Sequence, residues 1–324
     1  MRNIGIEYAA RGEMRFYILD SPPELKPSEI LIRTHYSGIT NGTERHALLA
    51  EHVWSEFPSR HGYQHIGRVE AVGDKVERFR EGDFIYFGKY VGHRGWHVED
   101  VAWADVHSYD SHLCIPLPEG LDRKYCALLG VAGVAMRGVR RCRVGAGQNV
   151  WVAGAGLIGQ FAAQAARAVG ARVTVSDVNE KRLHIAQELG ADSILNARNT
   201  DYAKSLKDQG PYDCIIDACG VESLFLDIHE AGLLAHCGVI GGLAVRTRSV
   251  FHWSMLHGLE ASIEVSCHYS LDDLRVLLQF IQRGIIRIEP LVSHIVSIDE
   301  APRIYEILRD KPAELLGVIL DWTA

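Results

Sequence analysis

Nowhere in the 324 residues is there an uninterrupted apolar run of about 18, the length that a membrane-spanning helix needs. No transmembrane segment is therefore expected. A basic excess is missing too: 34 Lys and Arg stand against 41 Asp and Glu, a formal charge of −7. Phosphate backbones call for the opposite sign, so nucleic acid is excluded as a partner. The seven cysteines are odd in number and never form a C-x-x-C pair, which excludes a disulfide framework and a compact four-cysteine zinc cluster. The start, Met1-Arg2-Asn3-Ile4-Gly5-Ile6-Glu7, has an early acid and no apolar stretch. It does not read as a signal peptide, and a cytoplasmic protein is expected.

What is present changes character along the chain. Roughly the first third is β-like. Runs such as Glu29–Tyr36, Gly67–Val72 and Phe84–Phe87 are separated by Gly, Pro and Asp. From about Ala127, apolar strands alternate with helical segments. The strands are Asn149–Ala153, Arg172–Asp177, Tyr212–Asp217 and Gly238–Leu243; the helices are Ile158–Val169 and Glu180–Leu189. Such alternation implies parallel crossovers and a doubly wound sheet. The tail returns to mixed structure: helices near Leu271–Gln282 and Glu300–Arg309, strands near Val292–Val296 and Val318–Asp321. The fold class is α/β, a doubly wound Rossmann sheet inserted into a β-rich domain. The expected division is 1–121 with 268–324 around 122–267.

Gly154-Ala155-Gly156-Leu157-Ile158-Gly159 matches G-x-G-x-x-G between a strand and a helix. Gly154 permits the tight turn, Gly156 lets a pyrophosphate approach, and Gly159 lets helix and strand pack closely. Asp177 follows the last glycine by 177 − 159 = 18 residues, near the offset of the acid that binds an adenosine ribose. Its charge would repel a 2′-phosphate, so NAD is expected ahead of NADP, although Arg182 would tolerate NADP.

The order of these pieces resembles the medium-chain dehydrogenase/reductase superfamily, which contains zinc alcohol, sorbitol and threonine dehydrogenases and quinone reductases. The resemblance rests on Ser37-Gly38-Ile39-Thr40-Asn41-Gly42-Thr43-Glu44, His61 to Val69, Val72 to Val76, Gly82-Asp83, Val152 to Gly159, Asp217 to Gly220 and Gly241 to Leu243. The first two segments look closest to the branch of the bacteriochlorophyllide dehydrogenases. The resemblance implies a GroES-like β-rich catalytic domain beside the Rossmann domain. It also places Cys219, Gly242, Leu243 and His268, together with Leu157 and Ile158, along the cofactor. Tyr269 beside His268 is a further pocket candidate. Family members pair edge strands into homodimers, and Ser262–Ser266 is the candidate edge here.

The departures concern the metal. Laid on this sequence, the family's cysteine ligand falls on Asn41, its Gly-His-Glu on Gly62-Tyr63-Gln64, and a later ligand near Gly130. Amide, phenol and glycine are not zinc donors. The resemblance then implies a dehydrogenase without catalytic zinc, and the missing four-cysteine lobe implies none of the structural kind. The relay hydroxyl falls on Thr43 and a relay histidine on His46. Tyr63 is the third catalytic candidate. The pairs His61/His65 and His93/His97, with His107 and His112, offered a different metal site or a polar lining.

The function expected is NAD-dependent oxidation of a secondary alcohol, or reduction of its ketone, on a polar, sugar- or cyclitol-like small molecule. A quinone or enoyl reductase using NADPH is one alternative, and a nucleotide-binding protein without turnover is another.

Overall fold

The computed structural model describes residues 3–51, 56–106, 113–246 and 248–324. By its contacts the chain splits into Met1–Val131 with Val292–Ala324, and Ala132–Leu291.

The first unit is a sheet of seven strands. Its path runs Val292–Ser297, Gly317–Asp321, Glu29–Ile39, His65–Val72, Phe84–Gly88 and Leu113–Pro116, with Trp96–Asp100 also paired to Glu29–Ile39. A hairpin, Ile4–Ala10 with Glu13–Ile18, forms a two-stranded sheet of its own. The tail belongs to this unit because Gly317–Asp321 pairs antiparallel with Tyr36–Ile39. Its helix Ala301–Asp310 buries Ile304, Tyr305 and Leu308 with Ile6, Tyr8, Leu48 and Trp322.

The second unit holds six parallel strands. In order across the sheet they are Ser193–Asn196, Arg172–Asp177, Asn149–Ala153, Tyr212–Asp217, Leu234–Gly242 and Ser262–Val265. Numbered along the chain that order is 3-2-1-4-5-6, the doubly wound arrangement of dinucleotide-binding sheets. Val150, Val152, Val173, Val175, Ile215 and Ile216 are buried on both faces, which is why these strands read as unbroken apolar runs. In the helix Leu157–Ala168 the small residues Ala162, Ala163, Ala165 and Ala166 are all buried.

Both crossings between the units fall later than the expected 121/122 and 267/268. At the first, Cys126, Ala127 and Leu128 are buried so close to the strand Glu29–Ile39 that a Cβ on Gly38 would lie 2.2 Å from the Ala127 carbonyl oxygen. At the second, Asp273 forms ion pairs with Arg137 and Arg140, and Gln164 exchanges hydrogen bonds of 2.8 and 3.1 Å with the Arg287 backbone. These contacts hold the helix Leu271–Gln282 and the segment after it in the Rossmann unit. The element boundaries otherwise lie close to those read from sequence, except that Leu234–Gly242 starts earlier than the expected Gly238.

Candidate active site

The glycine fingerprint lies where the first and fourth strands of the parallel sheet separate, outside their carboxyl ends. Gly154 takes φ +102, and a Cβ there would stand 2.9 Å from the Cys219 nitrogen. A Cβ on Gly159 would fall 1.8 Å from the Gly154 carbonyl oxygen, whereas one on Gly156 meets nothing within 4 Å. Two glycines are therefore needed for packing, and the third opens a surface at the start of the helix Leu157–Ala168. Free backbone N–H groups and the positive helix end at that surface suit a pyrophosphate.

Asp177 ends the second strand half-buried. Its Oδ2 accepts the Ala155 N–H at 2.6 Å and its Oδ1 the Asn179 N–H at 2.8 Å. Each carboxylate oxygen keeps acceptor capacity that a ribose hydroxyl can use. Asn179 caps the next helix by accepting the Arg182 N–H, so Arg182 stands in the first turn beyond the acid. Leu157 is buried, and Ile158 is half-buried one residue further along the helix. Cys219 and His268 are exposed, and Gly242 ends the fifth strand. Leu243 is buried, close enough to Gly138 that a Cβ there would lie 2.7 Å from it. Tyr269 is likewise buried, with its ring close to Gly133.

Sequence reasoning assigned no role to Asp217 or Arg246. Asp217 is fully buried at the end of the fourth strand, accepts the Cys219 and Gly220 N–H groups at 3.2 and 3.0 Å, and pairs with Arg246. It shapes the turn facing the fingerprint. Nothing at the level of spacing marks Arg246 as its partner.

In the first unit, the helix Asn41–Leu48 carries Asn41, Thr43, Glu44 and His46. Asn41 donates from Nδ2 to the Leu316 carbonyl at 2.7 Å, while its buried Oδ1 has no hydrogen-bond partner among the described residues. Thr43 is half-buried. His46 donates from Nδ1 to the Gly42 carbonyl at 2.9 Å and turns Nε2 toward Glu51 at 3.6 Å. Tyr63 stacks on Tyr90 with ring centroids 6.2 Å apart. A Cβ on Gly130 would lie 2.8 Å from the Tyr63 ring, so the phenol occupies the space a side chain at 130 would take. Gln64 ties these segments together. Its Nε2 donates to the Thr40 hydroxyl and the Gly38 carbonyl, and its Oε1 accepts the Val131 N–H at 3.0 Å.

Behind Thr43 lies a polar network that the sequence did not reveal. Glu44, 1% exposed, takes the Thr40 N–H at 2.8 Å and the hydroxyls of Tyr305 and Tyr8 at 2.6 and 3.3 Å. His93 Nε2 lies 3.1 and 3.2 Å from its two oxygens, and His93 Nδ1 meets Ser37 Oγ at 2.8 Å. Trp322 can only donate, so Ser37 Oγ accepts its N–H at 2.9 Å. Burial acts to raise the Glu44 pKa, but His93 and the donated hydrogen bonds outweigh it and hold the carboxyl below its usual value.

The remaining histidines do not assemble as the pairs in sequence suggest. His65 and His97 are buried on separate strands with ring centroids 4.5 Å apart, and His93 packs beside His65. His61 stacks on Tyr8. His107 and His112 lie outside the described residues.

A dinucleotide cradle on a 3-2-1-4-5-6 sheet, preceded by a β-rich unit that the tail completes, defines an oxidoreductase architecture. Residues 26–169 match the family model of the alcohol dehydrogenase GroES-like domain, and residues 158–283 that of zinc-binding dehydrogenases. The chain belongs to the medium-chain dehydrogenase/reductase superfamily and is an NAD(P)-dependent oxidoreductase of that type. It is 27% identical to an L-threonine 3-dehydrogenase of Anaeromyxobacter sp. (strain Fw109-5), over 96% of this chain and 97% of the relative. Among solved structures, a zinc dependent alcohol dehydrogenase 2 from Streptococcus pneumonia superposes with a TM-score of 0.85 at 20% identity, covering 99% of both chains. A galactitol-1-phosphate dehydrogenase from Escherichia coli gives 0.83 at 18% identity, over 98% of this chain and 99% of that one. No helix among the described residues is long and apolar enough to cross a membrane.

Proposed function

We propose that this protein is a zinc-independent, NAD-preferring dehydrogenase that interconverts a secondary alcohol and its ketone on a polar, polyhydroxylated small molecule. The observation that carries the reading is the donor set at the three positions where the resemblance puts zinc ligands. Asn41 spends its amide on the Leu316 carbonyl, Tyr63 brings a phenol, and Gly130 brings no side chain at all. Zinc wants thiolate, imidazole or carboxylate, and these residues do not fit it.

Bound nicotinamide supplies or accepts the hydride. The chain's own part is to steady the substrate oxygen and to move its proton. Thr43 and Tyr63 are the hydrogen-bond donors proposed for the oxygen. His46, one helical turn beyond Thr43 and facing Glu51, is the proposed exit for the proton. Relatives named for L-threonine and galactitol 1-phosphate support a polar hydroxylated substrate. The seven cysteines, odd in number and without a C-x-x-C pair, support a reducing, cytoplasmic setting. A homodimer through the edge strand Ser262–Val265 completes the reading, and a monomeric mass by light scattering would reject that part.

The test is turnover of a polyol and cyclitol panel with NAD⁺ by metal-analysed protein. Oxidation by zinc-free protein, with Thr43→Val and Tyr63→Phe each lowering kcat while the fold is kept, is expected. Activity lost on chelation and regained when zinc is returned, with Tm unchanged throughout, would overturn the zinc-independent reading. Wild-type rates in both variants would remove those residues from the chemistry.

A further inference from the structure

The edge of the Rossmann sheet gathers a second set of chemical groups away from the fingerprint. His236, Cys237 and Glu260 place one ligand atom each within 4.8 Å of one another, and all three side chains are exposed. Backbone register puts them there. The strands Leu234–Gly242 and Ser262–Val265 run parallel with Val239 opposite Ser262, so residues 237 and 260 each lie two positions ahead of the same rung. Against the other neighbour, the pairing jumps from Tyr212–Leu234 to Cys214–Val239, and the extra residues form a bulge that lifts out His236 and Cys237. Cys237 and Glu260 adopt φ 58 and φ 50, left-handed values that residues other than glycine seldom take. His236 Nδ1 already faces the Cys237 sulfur at 3.1 Å.

We propose that His236, Cys237 and Glu260 form a binding site for a borderline-soft divalent ion of the zinc type, clamping two neighbouring strands at their amino-terminal ends. Thiolate, imidazole and carboxylate are the three zinc donors, and water completes a tetrahedron. A sulfur and a nitrogen among three donors select against Mg²⁺ and Ca²⁺, which want oxygen throughout. Binding breaks the Cys237 S–H bond and forms a sulfur–metal bond. The proton leaves to solvent, and no electron changes hands. With thiolate and carboxylate on a dication the site is electrically neutral. It lies at the opposite end of the strands from Ala153, Asp177 and Gly242, so its expected effect is on stability and not on hydride transfer. It is independent of the zinc-free reading of the first unit.

Cobalt substitution tests the site in the full-length protein. Apoprotein titrated with Co²⁺ should take up about one ion per chain and develop a thiolate-to-cobalt charge-transfer band, and Zn²⁺ should displace it and raise Tm. Cys237→Ser should abolish the band, and Glu260→Gln, which keeps the thiol, should weaken binding and remove the Tm rise. Cys267→Ser should leave both intact. The proposed catalytic positions hold no cysteine, so the band cannot arise from them. Absence of a band in the wild type, or a band and Tm rise unchanged in Cys237→Ser and Glu260→Gln, would overturn the proposal.

Discussion

Asp177 holds the fingerprint loop: its Oδ2 accepts the Ala155 N–H at 2.6 Å, across 22 residues of sequence. The acid proposed for the ribose thus also positions the backbone that is to receive the pyrophosphate. Asp177→Ala should lower the preference for NAD over NADP by about tenfold, the equivalent of about 1.4 kcal/mol. Comparing kcat/KM for the two cofactors measures it. An unchanged ratio would remove Asp177 from cofactor selection.

The second and third glycines of the fingerprint should fail differently. A Cβ at Gly159 would collide with the Gly154 carbonyl oxygen at 1.8 Å, so Gly159→Ala should lower Tm even without cofactor. At Gly156 the chain leaves open space, so Gly156→Val should keep Tm and weaken cofactor binding. Thermal melts with and without NAD⁺ separate the two effects.

Acid should destabilise the β-rich unit. Burial, followed by the charge of His93, holds His65 well below the usual imidazole value; burial, then His65 and Arg94, does the same to His97. Neither Nε2 has a hydrogen-bond partner among the described residues. As pH falls through about 6.5 the unfolded chain takes protons that the folded chain refuses, so stability falls with pH. Two such groups give a slope of up to about 2.7 kcal/mol per pH unit. Glu44, held below its ordinary value, extends the loss to lower pH with the same sign. Urea midpoints at pH 7.5, 6 and 5 should fall in that order.

Glu44→Ala should cost about 3–5 kcal/mol, because it strips a buried partner from His93 while the Tyr8 and Tyr305 hydroxyls lose their acceptor. Urea denaturation gives the value. A loss under about 1 kcal/mol would mean that water replaces the carboxylate.

The Rossmann half was legible because its rules are short-range. Gly154, Gly156 and Gly159 sit on a strand–helix joint, Asp177 follows at a fixed offset, and each crossover brings its two strands parallel. The helix read near Leu271–Gln282 falls there in the structure, where Ser270 and Asp273 form a capping box at its start. The first unit was less legible. The i, i+4 histidine pairs carried no local meaning, since His65 and His97 meet across strands.

From its sequence alone the chain is a parallel α/β nucleotide fold joined to a β-rich unit, for these follow from alternation and glycine chemistry within some 30 residues. Tertiary structure alone decided who satisfies Glu44. A carboxylate out of water must find donors, and sheet register and packing brought it His93 and Tyr305, 49 and 261 residues away, with Ser37 and Trp322 behind the imidazole. The same register set His236 and Cys237 beside Glu260. Distance along the chain is silent about such partners, because burial selects them by proximity in space.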